Sequence, residues 1–333
     1  MTLAIIILSY ERMKIMIQSS KQLEKPDFKS RISHLGKEVW KNKDKYLLVL
    51  PGLIWYAIFA YIPIYGLTLA FKKFIAKAGI FGSPWIGLYN FRNVFQDPAF
   101  MQSIYTTLRI NAGRLIFVFP FPIFLALIFN EVRLNRTKKV LQSVFTFPHF
   151  LSWVIVGSVM INILGQQGLV NGILGLFGVE PIAFLGTPSY FQTLVYVTDA
   201  WKSAGWSAII YMASIAGIDT EQYEAAEIDG ASRLQRMWHI TLPGIKPTIV
   251  VLFILAVGNL MSGGFDQIFN LSNAATIKVA EILDMYLYRI TFRGSVDFSF
   301  SSAVALFRSV INLLLLLVAD RIIKRIDGTG LLA

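Results

Sequence analysis

Residues 224–243 read Glu-Ala-Ala-Glu-Ile-Asp-Gly-Ala-Ser-Arg-Leu-Gln-Arg-Met-Trp-His-Ile-Thr-Leu-Pro. Just upstream, Asp219 or Thr220 can cap a helix that starts near Glu221. Glu221 and Glu224 put negative charge in its first turn, where the helix dipole favours it. Gly230 supplies a C′ position at which a positive φ costs nothing. Ser232 can cap a second short helix, and Pro243 sets the start of the element that follows. The stretch is therefore a helix–turn–helix. Ala225 and Ala226 keep one side of it thin, so another protein's groove can come close, with Glu224 and Glu227 as partners for basic groups there.

Outward from this loop the chain is apolar. Of 333 residues, 55% are hydrophobic and 14% aromatic against 15% charged, where a soluble domain carries about 25% charged residues. Six segments have the roughly 20 mainly apolar residues that cross about 30 Å of hydrocarbon. They are Tyr46–Phe71, Thr107–Asn130, Val140–Leu164, Phe191–Gly217, Gly244–Gly264 and Phe300–Val318. The expected fold is an all-α integral membrane protein with six transmembrane helices. The absence of cysteine excludes a disulfide scaffold, thiolate chemistry and Cys-ligated zinc or iron–sulfur sites. His34, His149 and His239 lie far apart in sequence, so no metal site is expected. No catalytic constellation stands out: the chain has no G-x-x-x-x-G-K-[ST], H-E-x-x-H or G-x-S-x-G, and no Gly-rich dinucleotide loop.

The net charge of +11 needs an anionic neighbour, lipid or nucleic acid, and its placement decides between them. With the N-terminus inside, the inner segments 1–45, 131–139, 218–246 and 320–333 hold 20 Lys and Arg, and the outer segments 72–101, 165–190 and 266–298 hold 7. This asymmetry implies that both termini are cytosolic. Membrane lipid then accounts for the excess charge, and no nucleic acid is required. Lys72 and Lys73, at the outer end of the first span, are local exceptions. The loop 218–246 is the one net-negative inner segment, with 5 acidic and 3 basic residues.

Leu3–Leu8 is too short to span, and the basic residues follow that run, the reverse of a secretory signal. Residues 1–45 read as a basic cytosolic extension and interfacial helix, with Trp40 among Lys37, Lys41, Lys43 and Lys45. A disordered basic tail over residues 1–34 is the other reading. Residues 46–333 form the transmembrane domain, with the inner loop at 218–243. The outer loops suggest surface helices at Trp85–Phe91, Gly168–Gly178 and Ile282–Ile290, the first of them followed by Asp97-Pro98. Such helices either cover the bundle or dock a protein.

The pattern Glu224-Ala225-Ala226, three residues, Gly230, nine residues, Ile240-x-Leu242-Pro243 resembles the "EAA" signature of ABC importer permeases of type I. Further resemblance over Tyr46–Ala333 is carried by Leu50-Pro51-Gly52, Trp85–Phe91, Asn130-Glu131-Val132, Pro148-His149-Phe150, Trp201–Trp206, Ala216–Asp219 and Gly330-Leu331-Leu332. These stretches look like the carbohydrate and polysaccharide branch of LplB-type permeases. The resemblance implies a type I permease fold whose inner loop is the coupling helix, inserted into a cleft of an ATPase subunit through Glu224, Ala225, Ala226, Glu227, Asp229, Gly230, Ile240, Leu242 and Pro243. It also implies a second homologous permease subunit, an ABC ATPase dimer that binds ATP and Mg, and an extracellular solute-binding protein. No cofactor is then expected in this chain. Residues 1–20 have no counterpart in the resemblance.

Arg109, Arg114, Asp199, Lys202 and Arg308 fall within or near the ends of spans. A charge at mid-bilayer costs at least about 2.5–3.5 kcal/mol, so each should face the bundle or an aqueous cavity. Matching depths favour an Asp199–Arg308 pair, either structural or on the transport path. A sugar path also needs aromatic faces and a few hydrogen-bonding groups. Its candidates are Trp153, Tyr196, Asp199, Trp201, Trp206, Asn259, Ser262, Gln267 and Arg308. The expected function is ATP-driven import of an oligosaccharide or polysaccharide fragment. The same architecture carrying an amino acid, peptide or phosphate is a second reading. An ion-driven secondary transporter, which would not need the coupling loop, is a third.

Overall fold

The computed structural model describes residues 40–293, 297–328 and 330. The expected basic extension therefore lies, up to residue 39, outside the described residues, as does most of the Gly330-Leu331-Leu332 tail. The chain divides into two units, residues 1–65 and 66–333.

In the first unit, Lys43 Nζ sits 5.4 Å over the Trp40 ring and Lys45 Nζ donates to Asn42 Oδ1 at 3.2 Å. Helix α1, Lys43–Phe71, begins there. It passes through a π turn at Ala57–Tyr61 and a 3-10 stretch at Ile62–Phe71. No side chain is buried over Lys43–Tyr61.

The second unit continues with α2 (Tyr89–Gln96) and α3 (Pro98–Glu131). Asp97 caps α3, accepting from the Ala99 amide at 2.8 Å, and Pro98 occupies its first turn. The second span thus starts well before Thr107 as one continuous helix. A basic amphipathic helix α4 (Asn135–Thr146) follows. Then come α5 (Trp153–Leu164), α6 (Leu169–Leu176) and α7 (Pro188–Ala216). The inner loop forms α8 (Thr220–Ile228) and α9 (Arg233–Gly244), and α9 meets α10 (Lys246–Gly258) at a 57° bend. The chain ends with α11 (Phe265–Leu271), α12 (Leu283–Tyr288) and α13 (Phe298–Asp327).

Among the described residues, four helical stretches are long and apolar enough to cross a membrane: α1, α3, Trp153–Leu176 and Phe298–Arg325. The bent α9–α10 pair makes a fifth when taken as one span. Helix α7 is 29 residues long but, with Asp199, Lys202 and several hydroxyls, does not reach the same hydropathy. Length and hydropathy thus give four or five spans among the described residues, and α7 is a further long helix beside them.

The third span differs most from its expected range. It does not run from Val140 to Leu164, because the helix breaks at Phe147–Phe150 into a 3-10 turn and restarts at Trp153. Pro148 has no N–H to extend α4. Ser152 competes for the chain by capping α5, accepting from the Ile155 amide at 3.3 Å. The fifth span likewise stops at Gly258 rather than Gly264, with Gly263 and Gly264 at φ 98 and 86.

Packing in this unit is built on α7. Ala204, Gly205 and Ala208 thin one face of it, and that face meets Leu125 and Phe129 of α3 and the end of α4 in a buried cluster. A Cβ on Gly205 would overlap the Phe145 carbonyl. Elsewhere in the unit, α12 is tied to the start of α3 by the Tyr286 hydroxyl, which donates to Asp97 Oδ2 at 2.6 Å. Burial, and then that carboxylate, push the Tyr286 phenol far above its ordinary value, so it remains a donor at physiological pH. Nearby, Arg289 Nε donates to Glu281 Oε1 at 2.6 Å, which raises the guanidinium further. The three expected outer helices form as α2, α6 and α12. Helix α2 starts at Tyr89 rather than Trp85, and Gly178 closes α6 at φ 76.

Candidate translocation cleft and coupling loop

The inner loop is built by its caps. Asp219 Oδ1 accepts from the Glu221 amide at 3.0 Å and starts α8. Gly230, at φ 79, ends it: its amide donates to Glu227 O at 3.1 Å, and the Ala231 amide reaches Ala226 O at 2.8 Å, bonds that close the helix in the manner of a Schellman motif. Ser232 and Gln235 form a capping box, with the Ser232 amide donating to Gln235 Oε1 at 2.7 Å. Arg236 ties the two legs together by donating to Glu227 Oε2 at 2.7 Å. Helix α8 buries no side chain, and Glu224, Ala225, Glu227, Asp229 and Gly230 are exposed. Ile240 and Leu242 are half-buried, and Leu242 packs on the inner core cluster, whereas Pro243 is exposed. Ile228, which the sequence reading passes over, is 87% exposed at the helix tip, an apolar knob left uncovered among the described residues.

Deeper in the unit, one cation organises the site. Arg114 lies in the π turn Arg114–Val118 within α3, and its Nε is 3.1 Å from Asp199 Oδ2. The same guanidinium donates to Asn111 Oδ1 at 2.9 Å, to Gly263 O at 3.3 Å and to Gln267 Oε1. Gln267 passes the network on, its Nε2 donating to Val195 O at 2.7 Å and Thr198 Oγ1 at 2.9 Å. Asn111 Nδ2 donates to Leu260 O at 2.7 Å. The non-helical backbone after α10 is thus satisfied by side chains of α3, which is what makes irregular backbone tolerable at membrane depth. A Cβ on Gly264 would overlap the Arg114 guanidinium, so glycine is required there for space as well as for its positive φ. A cleft of about 260 Å³ opens beside this network, lined among others by Asn111, Arg114, Asp199, Ser203, Asn259 and Ser262.

The expected Asp199–Arg308 pair does not form. Asp199 pairs with Arg114, and Arg308 pairs with Asp284 of α12. Helix α13 packs on α10 and α2, while α7 packs on α3 and α4, so the two charges face different neighbours whatever their depth. A second polar group sits at the break between α4 and α5. Lys202 Nζ donates to His149 O at 2.6 Å and lies 5.5 Å over the Trp153 ring, while Trp206 stacks on His149 with centroids 4.6 Å apart.

Of the path candidates, Asp199, Asn259, Ser262 and Gln267 gather around Arg114. Tyr196 adjoins them, its ring 5.6 Å from Phe117 and its hydroxyl over Gly113. Trp153 and Trp206 belong to the Lys202 group, Trp201 is exposed away from both, and Arg308 stands apart with Asp284. On α7, Gln192, Tyr196, Asp199, Ser203 and Trp206 recur at helical spacing and form one polar stripe. That spacing is the signal that singles out Gln192 and Ser203. Asn111 is detectable only as the residue one turn before Arg114.

Together the helices and the loop define a multi-pass, all-α membrane protein with the type I ABC importer permease fold. Residues 118–328 match the family described as "Binding-protein-dependent transport system inner membrane component", and the chain belongs to that family. It is 42% identical over 292 residues to the polygalacturonan/rhamnogalacturonan transport system permease protein YteP of Bacillus subtilis, covering 87% of this chain and 91% of that one. It is 39% identical to protein LplB of the same organism, covering 87% and 92%. Among solved structures it resembles a chain of a bacterial alginate ABC transporter in complex with an alginate pentasaccharide-bound periplasmic protein. There the TM-score is 0.80 at 35% identity, covering 89% of this chain and 99% of that one.

Proposed function

We propose that this chain is a transmembrane subunit of an ATP-driven importer that moves an oligosaccharide or polysaccharide fragment delivered by an extracellular solute-binding protein. The observation that carries the proposal is the braced, uncovered helix α8, whose Glu224-Ala225-Ala226 face and closing Gly230 present a ready plug on the cytosolic side. An ABC ATPase dimer, which binds ATP and Mg, receives that plug through Glu224, Ala225, Ala226, Glu227, Asp229 and Gly230, with Ile240, Leu242 and Pro243 setting its angle. The chain itself has no P-loop, so hydrolysis belongs to that separate subunit. A second homologous permease completes the channel. The uncovered side chains of α1 over Lys43–Tyr61 suit contact with that subunit or with lipid. Both termini are cytosolic in a bacterial plasma membrane. The polysaccharide carriers among the relatives support the cargo class, and the cleft beside Arg114 with the stripe on α7 is its path.

Site-specific cross-linking tests the docking. A cysteine at Ala225, in a chain with no native cysteine, should cross-link to the ATPase subunit and to no other partner. Its absence from every ATPase adduct while the complex assembles would refute this placement of the plug.

A further inference from the structure

Among the described residues, three buried side-chain donors make no hydrogen bond: Arg109 Nε and Arg114 Nε on α3 and Gln192 Nε2 on α7. Arg114 Nε lies against the Asp199 carboxylate, which leaves Arg109 and Gln192. Their levels follow from the helix register. Ile110 packs with Phe191 and Val195 in one buried cluster, the Tyr196 hydroxyl lies over Gly113, and Arg114 meets Asp199. The two helices run in the same direction with a steady offset, which sets Arg109 level with Gln192. Both lie one turn outward of Tyr196, whose hydroxyl feels the charges of Arg109 and Arg114.

The two arginines differ in one respect. Arg114 has a counter-charge in Asp199, 3.1 Å from its Nε, and its other nitrogens donate to Asn111, Gln267 and Gly263. Arg109 has the Tyr105 ring 5.7 Å away, and no acidic side chain pairs with it among the described residues. A guanidinium within a span is costly, and such groups face the bundle interior or an aqueous path and mark routes for substrates or ions. A carboxylate is the group a planar guanidinium fits best, and an adjacent amide N–H₂ extends the same acceptor site. Tyr105 and Tyr196 flank the position with the ring faces that sugars stack on.

We propose that Arg109 and Gln192 form a carboxylate-binding subsite and that the cargo is an acidic oligosaccharide bearing uronate groups. The proposal rests on the importer reading above and adds the charge of the cargo and the residues that select it.

The test uses the whole transporter, this chain with its partner permease, ATPases and binding protein, in ATP-loaded vesicles of zwitterionic lipid. Uptake of a short oligogalacturonate is compared with uptake of the same oligomer methyl-esterified at its carboxyls. Wild type should favour the acid. Arg109→Met should lower the acid-to-ester ratio by about tenfold, the loss of one charge-assisted hydrogen-bonded contact. Gln192→Glu, close to isosteric, should do the same by placing a fixed carboxylate beside Arg109, and it decides the matter if Arg109→Met does not insert. A wild-type preference for the ester, an unchanged ratio in the variants, or an equal fall for both oligomers would overturn the subsite. So would a variant effect that appears only when anionic lipid is added, which would assign the anion to a headgroup. Wild-type vesicles that import neither oligomer nor any neutral oligosaccharide would instead remove the importer reading itself.

Discussion

Gly205 sets a distance that no other residue could set. Its missing side chain lets α7 lie against the Phe145 carbonyl, and because the obstacle is backbone it cannot swing aside. Gly205→Ala should therefore cost about 1–3 kcal/mol of overpacking and lower the melting temperature of the purified complex. Gly172→Ala on α6, with open space around it, should leave that temperature unchanged. The Arg114–Asp199 pair gives a second expectation at this scale. Both side chains are mostly buried, so removing one partner strands a charge. Arg114→Met or Asp199→Leu alone should destabilise by about 3–5 kcal/mol, and the double variant by less than the sum. Thermal unfolding of the four proteins in detergent reads the coupling directly. In the sequence these charges are visible as in-span residues, but their partners are not. Depth along a helix can be counted from the sequence, whereas the direction a side chain faces depends on which helices pack together.

At the scale of elements, the inner loop is readable almost residue by residue, since its structure is made by local chemistry. Asp219, Gly230 and Ser232 each satisfy groups within a few residues of themselves. Gly230→Val would force a β-branched residue to φ 79 and distort the end of α8. The variant should still insert, yet ATP hydrolysis should no longer be coupled to uptake, as measured by the ratio of solute imported to ATP consumed. Ser232→Ala removes one half of the capping box and should cost about 1 kcal/mol locally, a smaller defect seen as faster amide exchange over α9. The break in the third span is not readable in the same way. Hydropathy runs smoothly across Phe147–Ser152, and Pro148 alone is compatible with a kinked continuous helix. What ends α4 there is the tertiary fit: Lys202, from α7, takes up the His149 carbonyl that the break releases.

At the scale of the molecule, the charge asymmetry of the sequence implies an orientation, and the exception at Lys72 has a physical explanation. Lys72, on the side counted as outer, is 1% exposed, donates to Ile80 O at 2.9 Å and lies 4.7 Å over Trp85. It braces the loop that leads to α2 and is turned inward rather than toward lipid, so it need not count in the charge asymmetry. Single cysteines test the orientation: one at Gln222 should react with an impermeant maleimide only after the membrane is opened, and one at Ala274 without opening it. Composition and span lengths are enough for the class of fold, but the length of α7 with its polar stripe exceeds what hydropathy alone detects.

The central claim, ATP-driven import of an oligosaccharide through this subunit, is tested most directly by uptake in sealed vesicles that hold the reconstituted complex. Labelled oligosaccharide should accumulate only when ATP is inside and loaded binding protein outside, and the Gly230→Val complex should not accumulate it. Accumulation driven by an ion gradient without ATP, or indifferent to the binding protein, would contradict the account.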